Sequence, residues 1–133
     1  MHSAEIRPAP FCVAIVDDDP RIRTLLEDEL IEHGLTPHLC NGGLELLQLV
    51  QSRHVDVVML DVSMPEMSGL ECLEQLRDTG FAGEVLMITA VEDSGTRRAA
   101  LDAGARDYVL KTDLFEQLPR LLQQYLGITI HED

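Results

Sequence analysis

Five short apolar runs divide the chain at regular intervals, and this alternation constrains the fold more than any other feature. Each run is four to six residues long, the length of a buried strand. Between the runs, apolar residues recur every three or four positions, as Ile22, Leu26 and Leu30 do, which is typical of amphipathic helices. The pattern predicts five strands alternating with five helices. The runs are FCVAIV (11–16), LTPHLC (35–40), VDVVML (55–60), EVLMIT (84–89) and DYVL (107–110).

Capping and turn residues mark the element ends. Asp19 is a good N-cap and Pro20 a good first residue for the first helix, which Gly34 ends. Pro37 lacks a backbone N–H, so the second strand is predicted at an edge of the sheet. The other helices are predicted from Gly43 to Val50, from Ser68 to Thr79, before Gly104, and up to about Leu126.

The start of the last helix is ambiguous. Asp113 and Glu116 have the spacing of a capping box, which makes Asp113 the N-cap. Pro119 would then lie inside the helix, where proline removes a hydrogen bond.

Alternating strands and helices predict an α/β fold with a parallel sheet covered on both faces. We expect a doubly wound (βα)5 arrangement, flavodoxin- or CheY-like, with strand order 2-1-3-4-5. The predicted organisation is one domain over residues 11–127, with a flexible tail at 1–10 and a short tail at 128–133.

The chain carries a large negative charge, −14 from 24 acidic and 10 basic residues. Nucleic-acid binding rests on Lys and Arg, and anionic membranes repel such a surface, so we expect no direct contact with nucleic acid or membrane. The three cysteines are odd in number and widely spaced, which does not suggest a disulfide framework, and no CxxC pair suggests a zinc site. We expect buried thiols in a reducing compartment. With no apolar run of about 20 residues and no signal-peptide pattern, the expected location is the cytoplasm.

Polar residues stand at the carboxyl ends of four predicted strands. Asp17 and Asp18 follow the first strand, Asp61 follows the third, Thr89 ends the fourth and Lys111 follows the fifth. Parallel strands bring these ends to one edge, where ligands bind. Three carboxylates packed together repel one another unless a cation such as Mg²⁺ joins them. Asp61 is then a candidate nucleophile for a phosphoryl group, with Lys111 and Thr89 contacting its oxygens.

With these residues the chain resembles the receiver domain of bacterial two-component response regulators, over about residues 11 to 126. The resemblance implies that Asp61 is the phosphoacceptor and that Asp17 and Asp18 form the metal-binding pair, with Asp18 the direct ligand. It also implies that the backbone carbonyl of Ser63 completes the protein ligands of Mg²⁺. The blocks that carry the resemblance are AIVDDDP (14–20), VMLDVSMPEMSG (58–69), LMITA (86–90) and DYVLKT (107–112).

The resemblance also implies a switch and partners. Thr89, Lys111 and Tyr108 correspond to the family's conformational switch, which reshapes the face formed by the fourth helix, fifth strand and fifth helix. The donor is a sensor histidine kinase or a histidine phosphotransfer protein, and the output is a homodimer or an effector bound at that face. A receiver is no enzyme beyond its own Mg²⁺-dependent phosphorylation and dephosphorylation.

The chain departs from the family pattern at four positions, of which Ser68, in place of a common aspartate just before Gly69, matters least. Thr112 follows Lys111 where proline is usual. Ser63 stands where asparagine or a larger residue is common, and Val91 stands where a polar residue is frequent. Both flank the path of an attacking water, so they bear on how long a phosphoryl group would persist.

Other readings use the same residues. A degenerate receiver would bind partners without phosphorylation. A Mg²⁺-dependent phosphohydrolase of the haloacid dehalogenase type would use the DxD of Asp17 and Asp19, but Pro20 stands where that motif has glycine. A flavodoxin is disfavoured because acidic residues after the first strand would repel a phosphate.

Overall fold

The computed structural model describes residues 11–127, in which strands and helices alternate throughout. The predicted tails at 1–10 and 128–133 lie outside the described residues. A 3₁₀ turn, Lys111–Asp113, precedes the last helix. The strands are β1 (Cys12–Val16), β2 (Thr36–Cys40), β3 (Val57–Asp61), β4 (Glu84–Thr89) and β5 (Asp107–Leu110), and the helices are α1 (Pro20–Glu32), α2 (Gly43–Ser52), α3 (Gly69–Asp78), α4 (Ser94–Asp102) and α5 (Leu114–Leu126).

The five strands form one parallel sheet in the order β2-β1-β3-β4-β5, which confirms the predicted topology. Pro37 lies on edge strand β2, as predicted. Val16 pairs with Leu60, and Asp61 pairs with Ile88. The carboxyl ends of β1, β3 and β4 therefore meet at one edge of the sheet.

Helices cover both faces of the sheet. The strands bury alternate residues on opposite sides, so each face has its own apolar core. Along β1, Ala14 belongs to the core beneath α2, α3 and α4, while Ile15 belongs to the core beneath α1 and α5. No helix within residues 11–127 is long and apolar enough to cross a membrane.

The helix starts confirm one predicted cap and correct another. The Asp19 carboxylate caps α1 by accepting from the backbone N–H of Arg21. The predicted capping box at Asp113 does not form, although α5 does begin at Leu114 and does contain Pro119. The 3₁₀ turn already gives Asp113 a helical backbone conformation, whereas an N-cap side chain that bonds its own helix needs an extended one.

The capping box is found instead at α3. Ser68 Oγ accepts from Glu71 N (3.1 Å), and the Glu71 carboxylate accepts from Ser68 N (3.0 Å). Gly69 follows at the first helical position and packs tightly against the end of β3. A Cβ atom there would lie 2.3 Å from the carbonyl oxygen of Asp61, so only glycine fits without a shift. This close approach fixes where α3 leaves the sheet edge.

Candidate functional site

Asp17 and Asp18 occupy the loop between β1 and α1. Asp17 is 3% exposed, while Asp18 is exposed. The backbone N–H of Asp17 donates to the carbonyl of Cys40 (3.2 Å), and Asp17 Oδ1 accepts from Asp19 N (2.8 Å). The loop therefore fixes one buried carboxylate and leaves a second one beside it open to solvent.

Asp61 is the last residue of β3, whereas the sequence predicted that the strand ends one residue before it. It is 3% exposed, and its Oδ1 accepts from the backbone N–H of Ser63 (3.2 Å). Oxygen atoms from Asp17, Asp18 and Asp61 all lie within 4.8 Å of one another. The three carboxylates that the sequence placed at one edge thus form an oxygen-only cluster with the geometry to hold a cation.

Lys111 enters this cluster from the end of β5. Its Nζ lies 3.0 Å from Asp17 Oδ2 and 3.4 Å from Asp61 Oδ2. The described chain has no cis peptide bond, so the bond from Lys111 to Thr112 is trans. The lysine reaches both carboxylates even though Thr112 replaces the usual proline.

The site is electrostatically strained. Burial, and then the neighbouring Asp17 carboxylate, raise the pKa of Asp61 to about 6, although Lys111 opposes the rise. Burial opposes the charged form of Lys111, but its bonds to Asp17 and Asp61 leave its pKa raised. One ammonium group does not offset three carboxylates, so a divalent cation would stabilise the cluster.

Thr89 and Tyr108 lie on neighbouring strands and on the same face of the sheet, because Met87 pairs with Tyr108 and Thr89 is two residues beyond Met87. The Thr89 hydroxyl donates to the carbonyl of Val91 (3.1 Å) and accepts from its N–H (3.2 Å). Tyr108 is 5% exposed, so the ring expected to turn inward on phosphorylation is already buried in this structure.

Sequence reasoning missed Arg23. Its guanidinium, on the second turn of α1, donates to the backbone carbonyl of Asp17 (2.5 Å). This bond helps to hold the loop that carries the first two carboxylates. No spacing rule predicts it, because a long arginine side chain can reach many positions from a helix start.

Comparison with known proteins gives the same result from a different direction. The family model for the response regulator receiver domain matches residues 13–123. The response regulator MprA of Mycobacterium ulcerans is 39% identical over 121 residues, which are 91% of this chain and 52% of that protein. The chain therefore spans about half the length of the curated relatives it matches.

Solved structures are similar over nearly their whole length. The chemotaxis protein CheY4 of Vibrio cholerae has a TM-score of 0.83 and 28% identity, covering 88% of this chain and 99% of that one. The response regulator TrrA of Thermotoga maritima, solved in complex with Mg²⁺ and BeF, has a TM-score of 0.77 and 31% identity, covering 86% and 98%. These matches set aside the phosphohydrolase of the haloacid dehalogenase type. Fold, carboxylate cluster and family model agree, and the chain belongs to the response regulator receiver domain family.

Proposed function

We propose that this receiver domain accepts a phosphoryl group on Asp61 from the phosphohistidine of a sensor histidine kinase or a histidine phosphotransfer protein. The observation that carries the proposal is the setting of Asp61, a buried carboxylate at a strand end with Lys111 Nζ 3.4 Å away. Two further carboxylates, Asp17 and Asp18, lie within metal-ligand distance of it.

The transfer needs a nucleophile and positive charge around the phosphoryl oxygens. An Asp61 carboxylate oxygen attacks phosphorus while the bond from phosphorus to the histidine nitrogen breaks and its electron pair returns to the imidazole. Lys111 supplies a point charge to the phosphoryl oxygens, and Thr89 supplies a hydroxyl once it leaves the backbone of Val91.

The donor set of the cluster fits Mg²⁺, which prefers oxygen ligands and binds through one or two carboxylates while keeping several waters. Asp17, Asp18 and Asp61, with the backbone carbonyl of Ser63, are the proposed ligands. Asp18 is the best placed direct ligand because it is exposed, while both Asp17 oxygens already contact Asp19 N and Lys111 Nζ. When bound, the cation would neutralise charge between Asp61 and the incoming group. The similarity to TrrA, solved with Mg²⁺ and BeF, supports this assignment.

The proposed output passes through Thr89 and Tyr108 to the face formed by α4, β5 and α5, where a second copy or an effector would bind. That face combines basic and acidic side chains, which suits pairing with a partner of mixed charge. Its ion pairs include Arg98 with Asp102 and Arg120 with Asp107.

Incubation with acetyl phosphate and Mg²⁺ tests the proposal, with intact-mass measurement as the readout. The protein should gain one phosphoryl group, and Asp61→Asn should gain none because an amide is a poor nucleophile. Asp19→Asn is the matched control: it removes a neighbouring acid, but asparagine caps a helix as well as aspartate does. Labelling of Asp61→Asn would contradict the assignment, and no labelling of any form would favour the degenerate receiver.

A further inference from the structure

Arg97 on α4 covers the ring of Tyr108. The guanidinium carbon lies 5.6 Å from the ring centroid, and Nη1 donates to the backbone carbonyl of the same tyrosine (3.4 Å). A cation over an aromatic face is attracted by the ring's quadrupole. One side chain therefore holds both the ring and the backbone of Tyr108 against α4.

The same guanidinium reaches the loop that follows β4. Arg97 Nη1 lies 3.9 Å from Glu92 Oε2, and both side chains are about half exposed. Glu92 directly follows Val91, whose backbone binds the Thr89 hydroxyl. A continuous series of contacts thus leads from Thr89 at the phosphorylation edge, through Val91, Glu92 and Arg97, to Tyr108.

We propose that Arg97 is a positioning residue that holds Tyr108 in its buried position and couples that position to the loop after Thr89. The holding role depends only on the contacts to Tyr108, whereas the coupling role rests on the proposed phosphorylation of Asp61. Exposed ion pairs contribute little stability, so the contact between Arg97 and Glu92 breaks at little cost when the loop after Thr89 moves.

Arg98 provides a matched control for Arg97. It is the next residue on the same helix and carries the same side chain, but it is 81% exposed and pairs with Asp102 one turn along, 3.5 Å away. Substitution of either arginine removes one positive charge from α4. Only substitution of Arg97 removes the contacts to Tyr108.

The test is fluorine NMR on protein labelled with fluorotyrosine. The chain contains two tyrosines, so two resonances are expected. Tyr125 serves as an internal reference, because its hydroxyl donates to Asp107 Oδ2 (2.9 Å) and its ring lies near Arg106 rather than Arg97. Spectra are recorded with and without beryllofluoride and Mg²⁺, and labelling by acetyl phosphate is measured for every variant.

In Arg97→Gln the Tyr108 resonance should move toward the position of free fluorotyrosine, and its response to beryllofluoride should shrink by at least half. Arg98→Gln should match the wild type, and Arg97→Lys should recover most of the shift because it keeps a cation above the ring. An unmoved Tyr108 resonance in Arg97→Gln, equal shifts in both Gln variants, or no recovery in Arg97→Lys would overturn the holding role.

The two proposals fail separately. Asp61 should still gain one phosphoryl group in Arg97→Gln, since Arg97 touches no residue of the carboxylate cluster. An unlabelled wild-type protein would overturn the proposed function and the coupling role, while the Tyr108 resonance of the unmodified variants would still decide the holding role. An undiminished beryllofluoride response in Arg97→Gln would overturn the coupling role alone.

Discussion

Replacing Asp61 with asparagine should stabilise the metal-free protein, although it removes the proposed phosphoacceptor. Burial and the Asp17 carboxylate raise the pKa of Asp61 from 3.8 to about 6, so the folded protein disfavours the ionised form. That difference corresponds to about 3 kcal/mol of unfolding free energy once the carboxylate is fully ionised. Asparagine has a similar shape without the charge, and Lys111 keeps its 3.0 Å contact with Asp17.

The gain in stability should depend on pH with a definite sign. A carboxyl group whose folded pKa is raised contributes its full stability below the unfolded pKa and loses it as pH rises through the folded pKa. Ionisation of Asp61 should therefore cost about 3 kcal/mol at pH 7 and roughly half as much at pH 5. The stability difference between Asp61→Asn and wild type should grow over this interval.

Urea unfolding in chelator-treated buffer between pH 4 and pH 8 measures the difference directly. Asp19→Asn is the control, and its effect on stability should have the opposite sign. Hydrogen bonds from Arg21 lower the pKa of Asp19, so the fold favours its ionised form. An Asp61→Asn protein no more stable than wild type at pH 7, or a difference that shrinks as pH rises, would refute the electrostatic account of the cluster.

Two further predictions concern the same edge of the sheet. Millimolar Mg²⁺ should raise the melting temperature of the wild type, because a ligand at 100 times its dissociation constant adds about 2.7 kcal/mol to the free energy of unfolding. Asp18→Asn should reduce this gain. A wild-type melting temperature that does not change with Mg²⁺ would contradict the proposed site. Gly69→Ala should destabilise the fold by about 1–3 kcal/mol, because its Cβ would lie 2.3 Å from the Asp61 carbonyl oxygen. Gly42→Ala is its control, since a Cβ there meets nothing within 4 Å, and equal urea midpoints for the two variants would rule out the steric explanation.

The site was largely predictable because it depends on topology. Once the apolar runs are assigned to parallel strands, the residues at their carboxyl ends must meet at one edge, whatever the details of the loops. Asp17, Asp18, Asp61 and Lys111 were placed together on this basis, and the structure brings them within contact distance.

The parts that could not be predicted depend on side-chain conformation and local backbone geometry. Asp113 has the sequence of a cap, but the preceding 3₁₀ turn gives it a helical backbone. Arg23 and Arg97 have long side chains that bond to residues outside their own helices. Arg23 bonds to Asp17 in the loop before α1, and Arg97 bonds to Tyr108 on β5. Helical spacing fixes the direction of a Cβ atom and says little about where a guanidinium ends.

Chemical mapping of the phosphorylated residue tests the central claim most directly. After treatment with acetyl phosphate and Mg²⁺, borohydride reduction converts an aspartyl phosphate to homoserine, which peptide mass spectrometry assigns to one position. We expect homoserine at residue 61 and aspartate at residues 17, 18 and 19. Homoserine at any of those three positions with intact Asp61, or no homoserine in a fully folded, Mg²⁺-saturated protein, would contradict that claim.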